Sequence, residues 1–119
     1  MKKILLIEDE LLLQKSLKKL LEKKGAEVVA TSSGKEAIEI IQKDKFDKII
    51  CDLMLQDISG FDIIEESKVR YSKSEISQIF VIMTAYCSKQ VLQKAANYGC
   101  KVLSKPFDDL GDAIATFLS

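Results

Sequence analysis

Five times along the chain a short apolar run ends in a polar corner, and four of the five intervals that follow carry apolar residues at a clear helical spacing. Ile4 to Ile7, Val28-Val29-Ala30, Ile49 to Cys51, Ile79 to Met83 and Val102-Leu103 are the runs. Each is too short for a helix and apolar enough to be buried on both faces, which is the mark of a strand inside a parallel sheet. Leu13, Leu17, Leu20 and Leu21 stripe the first helix, which stops at Gly25; Ala37, Ile38, Ile40 and Ile41 stripe the second, which Ser33 and Glu36 open as a capping box. Ser59 with Asp62 opens a third helix, from about Gly60 to Tyr71. Val91, Ala95 and Tyr98 mark a fourth, ended by Gly99, and Leu110, Ile114, Phe117 and Leu118 mark the last. Ser72 to Ser77 lack an apolar period and are expected to form a loop. The pattern predicts an α/β fold: a doubly wound, five-stranded parallel sheet of (βα)5 type with helices on both faces. Rossmann-like and flavodoxin-like strand orders both satisfy it.

With 119 residues the chain forms one domain, spanning residues 1–119. Its 18 basic and 18 acidic side chains cancel, which disfavours direct nucleic-acid binding or attraction to an anionic membrane. The apolar run after Met1-Lys2-Lys3 is broken by Glu8-Asp9-Glu10 after four residues, too short for a signal peptide, so a cytoplasmic location is expected. The start Met1-Lys2-Lys3 favours a free-standing protein. Cys51, Cys87 and Cys100 are odd in number and form no Cys-x-x-Cys pair, so they read as structural. No histidine is present, which removes His-dependent zinc sites and Ser-His-Asp or Cys-His catalysis. Carboxylate, hydroxyl and lysine remain as the available chemistry.

In parallel sheets the ligand site lies beyond the carboxyl ends of the strands, where strand order reverses. Strand one ends in Glu8-Asp9, strand three in Asp52, strand four in Thr84 and strand five in Ser104-Lys105-Pro106. In the order 2-1-3-4-5 these ends converge on one crevice and strand two is left at the edge. Three carboxylates there raise one another's pKa unless a cation is present. Lys105 supplies one positive charge, and the remaining excess suits a hard divalent ion with oxygen ligands, Mg²⁺ above all. Asp52 is not needed as a helix cap, because Ser59 and Asp62 already serve that role.

Glu8-Asp9, Asp52-Leu-Met-Leu-Gln-Asp-Ile-Ser-Gly60, Met83-Thr84-Ala85 and Ser104-Lys105-Pro106-Phe107, in this order and at these separations, resemble the receiver domain of two-component response regulators. The resemblance covers essentially the whole chain and implies the flavodoxin-like order 2-1-3-4-5. It implies that Asp52 is the phosphoacceptor, that Glu8 and Asp9 hold Mg²⁺, and that Met54 lends the metal a backbone carbonyl. It implies further that the Thr84 hydroxyl and the Ala85 amide bind phosphoryl oxygens and that Lys105 pairs with the phosphate. The implied function is a phosphoacceptor switch that catalyses only its own phosphorylation and dephosphorylation. Its implied donor is a sensor histidine kinase or a phosphotransfer protein, and its output surface is the Val91 to Tyr98 helix, strand five and the last helix.

Three positions depart from the family pattern: Glu8 where Asp is usual, Gln56 where the loop proline is usual, and Val102 where strand five usually carries an aromatic. Glu8 is expected to reach the metal through water, and Val102 is too short for the usual aromatic rotamer switch. Two other classes share part of the pattern. A haloacid dehalogenase-type phosphatase expects a second Asp where Met54 stands, and an FMN-binding flavodoxin-like module would place a phosphate against Glu8-Asp9-Glu10.

Overall fold

The computed structural model describes residues 1–119. Strands β1 (Lys3–Ile7), β2 (Glu27–Thr31), β3 (Lys48–Asp52), β4 (Phe80–Thr84) and β5 (Lys101–Ser104) form one sheet in the order β2-β1-β3-β4-β5. All four pairings are parallel. The flavodoxin-like order is therefore the one adopted, with β2 and β5 at the edges.

Helices α1 (Leu11–Lys23), α2 (Gly34–Lys43), α3 (Gly60–Ser67), α4 (Lys73–Ile79), α5 (Lys89–Tyr98) and α6 (Leu110–Leu118) complete the chain. Side chains alternate across each strand with period two, so the sheet has two separate cores. Ile4, Leu6, Ile50, Val81 and Met83 face α1 and α6, where Leu17, Leu21, Ile114 and Phe117 meet them. Leu5, Ile7, Ile49, Cys51 and Ile82 face the other way, toward Ala37, Ile41, Ile63 and Ile64 of α2 and α3 and Ala95 of α5. Each fully buried Leu or Ile contributes about 1.5–3 kcal/mol. This burial on both faces holds the strand ends in fixed relation.

The third βα unit departs from the expectation. α3 ends at Ser67 instead of Tyr71: the Ser67 hydroxyl donates to the Ile64 carbonyl at 2.7 Å, and the chain turns over the next residues. Tyr71 is buried, and its hydroxyl accepts from the Phe46 amide at 3.0 Å just ahead of β3. Ser72 to Ser77, expected as a loop, belong instead to the start of α4. Ser72 and Glu75 form a reciprocal capping box, and Ile76 is the one fully buried side chain of the helix. A helix of two turns has room for a single core residue, so it leaves no periodic stripe to read. Ile79 consequently ends this helix, and β4 starts one residue later, at Phe80.

Gly60 begins α3 at a close approach. A Cβ there would stand 3.1 Å from the Asp52 carbonyl and 3.2 Å from Cys51 Sγ, so the absence of a side chain lets the loop after β3 fold back on the strand.

Candidate functional site

The four strand ends singled out above lie at one end of the sheet. Asp52 is the last residue of β3 and Thr84 the last of β4, while Glu8-Asp9 follow β1 and Lys105 follows β5. Leu53 N donates to the Met83 carbonyl and Lys105 N to the Thr84 carbonyl, both at 2.8 Å, so the backbone ladder continues into the corners that carry the functional groups.

Lys105 joins the acidic groups. Its Nζ donates to Glu8 Oε1 at 2.7 Å and to Asp52 Oδ2 at 3.2 Å, and lies 3.5 Å from Glu10 Oε2. Burial alone would lower the pKa of this ammonium, but its hydrogen bond to Glu8 and the charge of Asp52 outweigh that, and it stands above the usual lysine value. Glu8 is completely buried. Burial raises the pKa of its carboxyl against the opposing effects of Lys105 and of the Glu10 amide, which donates to Oε2 at 3.0 Å. The Lys105-Pro106 peptide is cis.

Oxygens of Glu8, Asp9 and Asp52 lie within 4.8 Å of one another. In an octahedron with bonds of about 2.1 Å, opposite ligands stand about 4.2 Å apart, so three oxygens at this spacing fit a Mg²⁺ ion after small adjustments. Three carboxylates against one ammonium leave an excess of negative charge that a divalent cation balances. The donor set, all hard oxygen, fits the same ion.

The other expected residues stand at the same rim in different states. Thr84 is fully buried, and its hydroxyl turns back on its own loop, accepting from Tyr86 N at 3.0 Å and donating to the Tyr86 carbonyl at 3.3 Å. Ala85 is exposed. The Met54 amide donates to Asp52 Oδ1 at 3.2 Å, and its side chain is exposed.

Two contacts were not legible in advance. Gln56 N donates to Asp9 Oδ2 at 3.1 Å. A proline at this position has no amide hydrogen to give, so the departure noted at Gln56 supplies a bond to one of the acidic residues. Asp57 reaches the start of α2, where its carboxylate accepts from Ser33 Oγ, Gly34 N and Lys35 N at 3.0 to 3.1 Å and from Ile58 N. The Lys35 and Gly34 amides, with Ser33 and Ile58, hold its carboxyl at a pKa of about 2.

A family model described as the response regulator receiver domain matches residues 4–115. The chain belongs to the response regulator receiver family. This receiver domain is 33% identical over 108 residues to the transcriptional regulatory protein CrdR of Helicobacter pylori, an alignment covering 90% of this chain and 49% of that protein. To the polar-differentiation response regulator DivK of Brucella ovis it is 31% identical over 107 residues, covering 88% of this chain and 85% of that one. The chain thus spans about half the length of CrdR and most of DivK. The non-phosphorylated receiver domain of HemR from Leptospira biflexa has the same fold, with a TM-score of 0.85 at 29% identity over 97% of this chain and 90% of that one. Receiver domains are signalling switches of two-component systems, and the phosphatase and flavin-binding alternatives fall away with that membership.

Proposed function

We propose that residues 1–119 act as one receiver domain that takes a phosphoryl group onto Asp52 from a phosphohistidine on a partner protein and passes the change to a second partner. One observation carries the reading: Lys105 Nζ bridges Glu8 and Asp52 beside Asp9, at the carboxyl ends of the neighbouring strands β1 and β3. A strand-end carboxylate with a fixed ammonium and a ready set of hard oxygen ligands is built for phosphoryl transfer, in which positioning and charge neutralisation carry most of the catalysis.

A carboxylate oxygen of Asp52 attacks phosphorus and the P–N bond of the phosphohistidine breaks. The imidazole leaves with the bonding pair and takes a proton from solvent. Glu8, Asp9, Asp52 and the Met54 carbonyl would hold Mg²⁺, which when bound neutralises charge on the phosphoryl oxygens. Lys105 follows the new charge from Asp52 to the phosphoryl group and stays anchored on Glu8. The Ala85 amide is free to donate to another phosphoryl oxygen. The Thr84 hydroxyl does the same by leaving Tyr86, which gives up two hydrogen bonds of about 0.5–1.5 kcal/mol each. That exchange is the differential contact a switch needs.

Exposed Leu11, Leu12, Met54, Tyr86 and Leu110 all belong to segments at this end of the sheet and suit docking of a protein donor, a sensor histidine kinase or a phosphotransfer protein. We place the output on α5, β5 and α6, and the reaction in the cytoplasm. No helix is long and apolar enough to cross a membrane.

The test is intact-mass analysis after incubation with Mg²⁺ and acetyl phosphate. One phosphoryl group per chain is expected, absent in EDTA and in Asp52→Asn. Peptide mapping that places the label on Asp57, or full labelling of Asp52→Asn, refutes the assignment.

A further inference from the structure

Five of the six helices begin with a side-chain cap: Ser33, Ser59, Ser72, Ser88 and Asp109 each accept from an amide of the first turn. α1 has no such cap. It follows Glu10, whose side chain makes no capping bond. The helix is tied to the end of β1 from its own second turn instead, where Gln14 Nε2 donates to the Glu8 carbonyl at 2.7 Å. This is the one side-chain hydrogen bond that α1 makes.

The bond falls on the peptide that joins the two acidic residues. Glu8 is completely buried, so its carbonyl has to find a donor inside the protein, and Gln14 is that donor. A peptide unit is planar, so fixing the Glu8 oxygen also fixes the Asp9 nitrogen, and with it the direction in which the Asp9 side chain leaves the backbone. Asp9 depends on that more than its neighbours do. Lys105 pairs with Glu8, Glu10 and Asp52 and leaves Asp9 out, and the Asp9 carboxylate has a single partner, the Gln56 amide at 3.1 Å.

We propose that Gln14 is a positioning residue for the metal site: by holding the Glu8-Asp9 peptide, it sets the Asp9 carboxylate in place before Mg²⁺ arrives. The inference rests on the reading of Glu8, Asp9 and Asp52 as metal ligands. Without the bond, the peptide between Glu8 and Asp9 can turn, and the ion has to impose an order that Gln14 otherwise supplies. The effect is on metal affinity, separate from whatever the same bond adds to the stability of the fold.

The test is a Mg²⁺ titration of the protein without a phosphoryl donor, followed by amide resonances in NMR. Gln14→Met keeps the length of the side chain but cannot donate, and the position is only half-buried, so methionine is accommodated. Ser67→Ala is the control, because it removes another 2.7 Å bond from a side chain to a carbonyl, at the far end of α3. The Mg²⁺ Kd should rise about five- to tenfold in Gln14→Met and stay within about twofold in Ser67→Ala, whatever either variant loses in melting temperature in EDTA. Without the ion, the Glu10 amide, which donates to Glu8 Oε2, should exchange severalfold faster in Gln14→Met. A Kd unchanged in Gln14→Met, or raised equally in Ser67→Ala, overturns the proposal and leaves the metal reading standing. If the natural protein shows no saturable response, or Asp9→Asn binds as tightly as it does, the metal reading itself fails and the role of Gln14 fails with it.

Discussion

Two loops leave neighbouring strands at the acidic end of the sheet, and they are built in opposite ways. The loop after β3 is tied at almost every residue: Met54 to Asp52, Gln56 to Asp9, Asp57 to the start of α2, and Gly60 back to Leu53. The loop after β4 runs exposed from Ala85 to Ser88. It is held by the Thr84 to Tyr86 turn and by one contact of 2.9 Å between Cys87 Sγ and Ser104 Oγ. A group that receives a phosphoryl must keep its geometry, whereas a group that reports the event must be able to move. On the proposed function, the difference suits the first loop to reception and the second to transmission. Val102 fits the division, since it is half-buried on an edge strand and, being β-branched, has few rotamers with which to relay a change.

The strongest test of the rigid side is Lys105→Met. It leaves Glu8 buried beside Asp52 without its cation, and removing one partner of a buried ion pair costs about 3 kcal/mol or more. Urea unfolding in EDTA should show that loss. A loss below about 1 kcal/mol would mean that the crevice is held by packing and not by the Lys105 bridge.

Amide hydrogen exchange compares the two loops directly. Gly60 N, bonded to the Leu53 carbonyl, should exchange on the order of 10²-fold more slowly than the amides of Ala85 and Cys87. Addition of Mg²⁺ and beryllofluoride, a mimic of the phosphoryl group, should alter exchange most between Ala85 and Val91 and little in β5. If β5 changes most, or if Val102→Tyr reshapes the response, transmission runs through the strand and the division between the loops fails.

Mg²⁺ should stabilise the fold without any phosphoryl group, because a ligand bound only by the native state adds RT ln(1 + [L]/Kd), about 1.4 kcal/mol at ten times Kd. Asp9→Asn should remove most of the thermal shift. An unchanged shift in that variant would place the ion away from Glu8, Asp9 and Asp52.

The smallest expected effect belongs to Asp57→Asn, at about 1 kcal/mol or less, the usual contribution of a carboxylate at a helix N-terminus. The folded-state pKa of about 2 lies below the ordinary Asp value, so the stability that Asp57 adds is complete above that ordinary value. It is lost as pH falls from about 4 toward 2. Unfolding measured across that window should be less pH-dependent in Asp57→Asn. Unchanged acid sensitivity would show that the tie between the β3 loop and α2 carries no stability.

The strands, five of the six helices and the strand-end groups could be read from the sequence alone, because apolar period and capping residues act over a few neighbouring positions. Ser59 with Asp62 caps α3 as its spacing implied, and Gly99 ends α5 in the left-handed conformation that glycine allows. Asp52, Glu8, Asp9 and Lys105 were recognisable together because a parallel sheet gathers all strand ends at one edge. Packing settled the rest. α4 had no stripe because a two-turn helix buries only Ile76, and its existence depends on the Ser72 and Glu75 caps and on the surface it covers. That Lys105 lies nearer to Glu8 than to Asp52, that the Gln56 amide rests on Asp9, and that buried Lys48 donates to the Gln78 carbonyl are contacts between distant parts of the chain. The first spans 97 residues and the second 47, and no local pattern encodes them. Local sequence determines which groups arrive at each end of the sheet, and the tertiary structure decides which of them meet, because hydrogen-bond and ion-pair geometry exists only once both cores have closed.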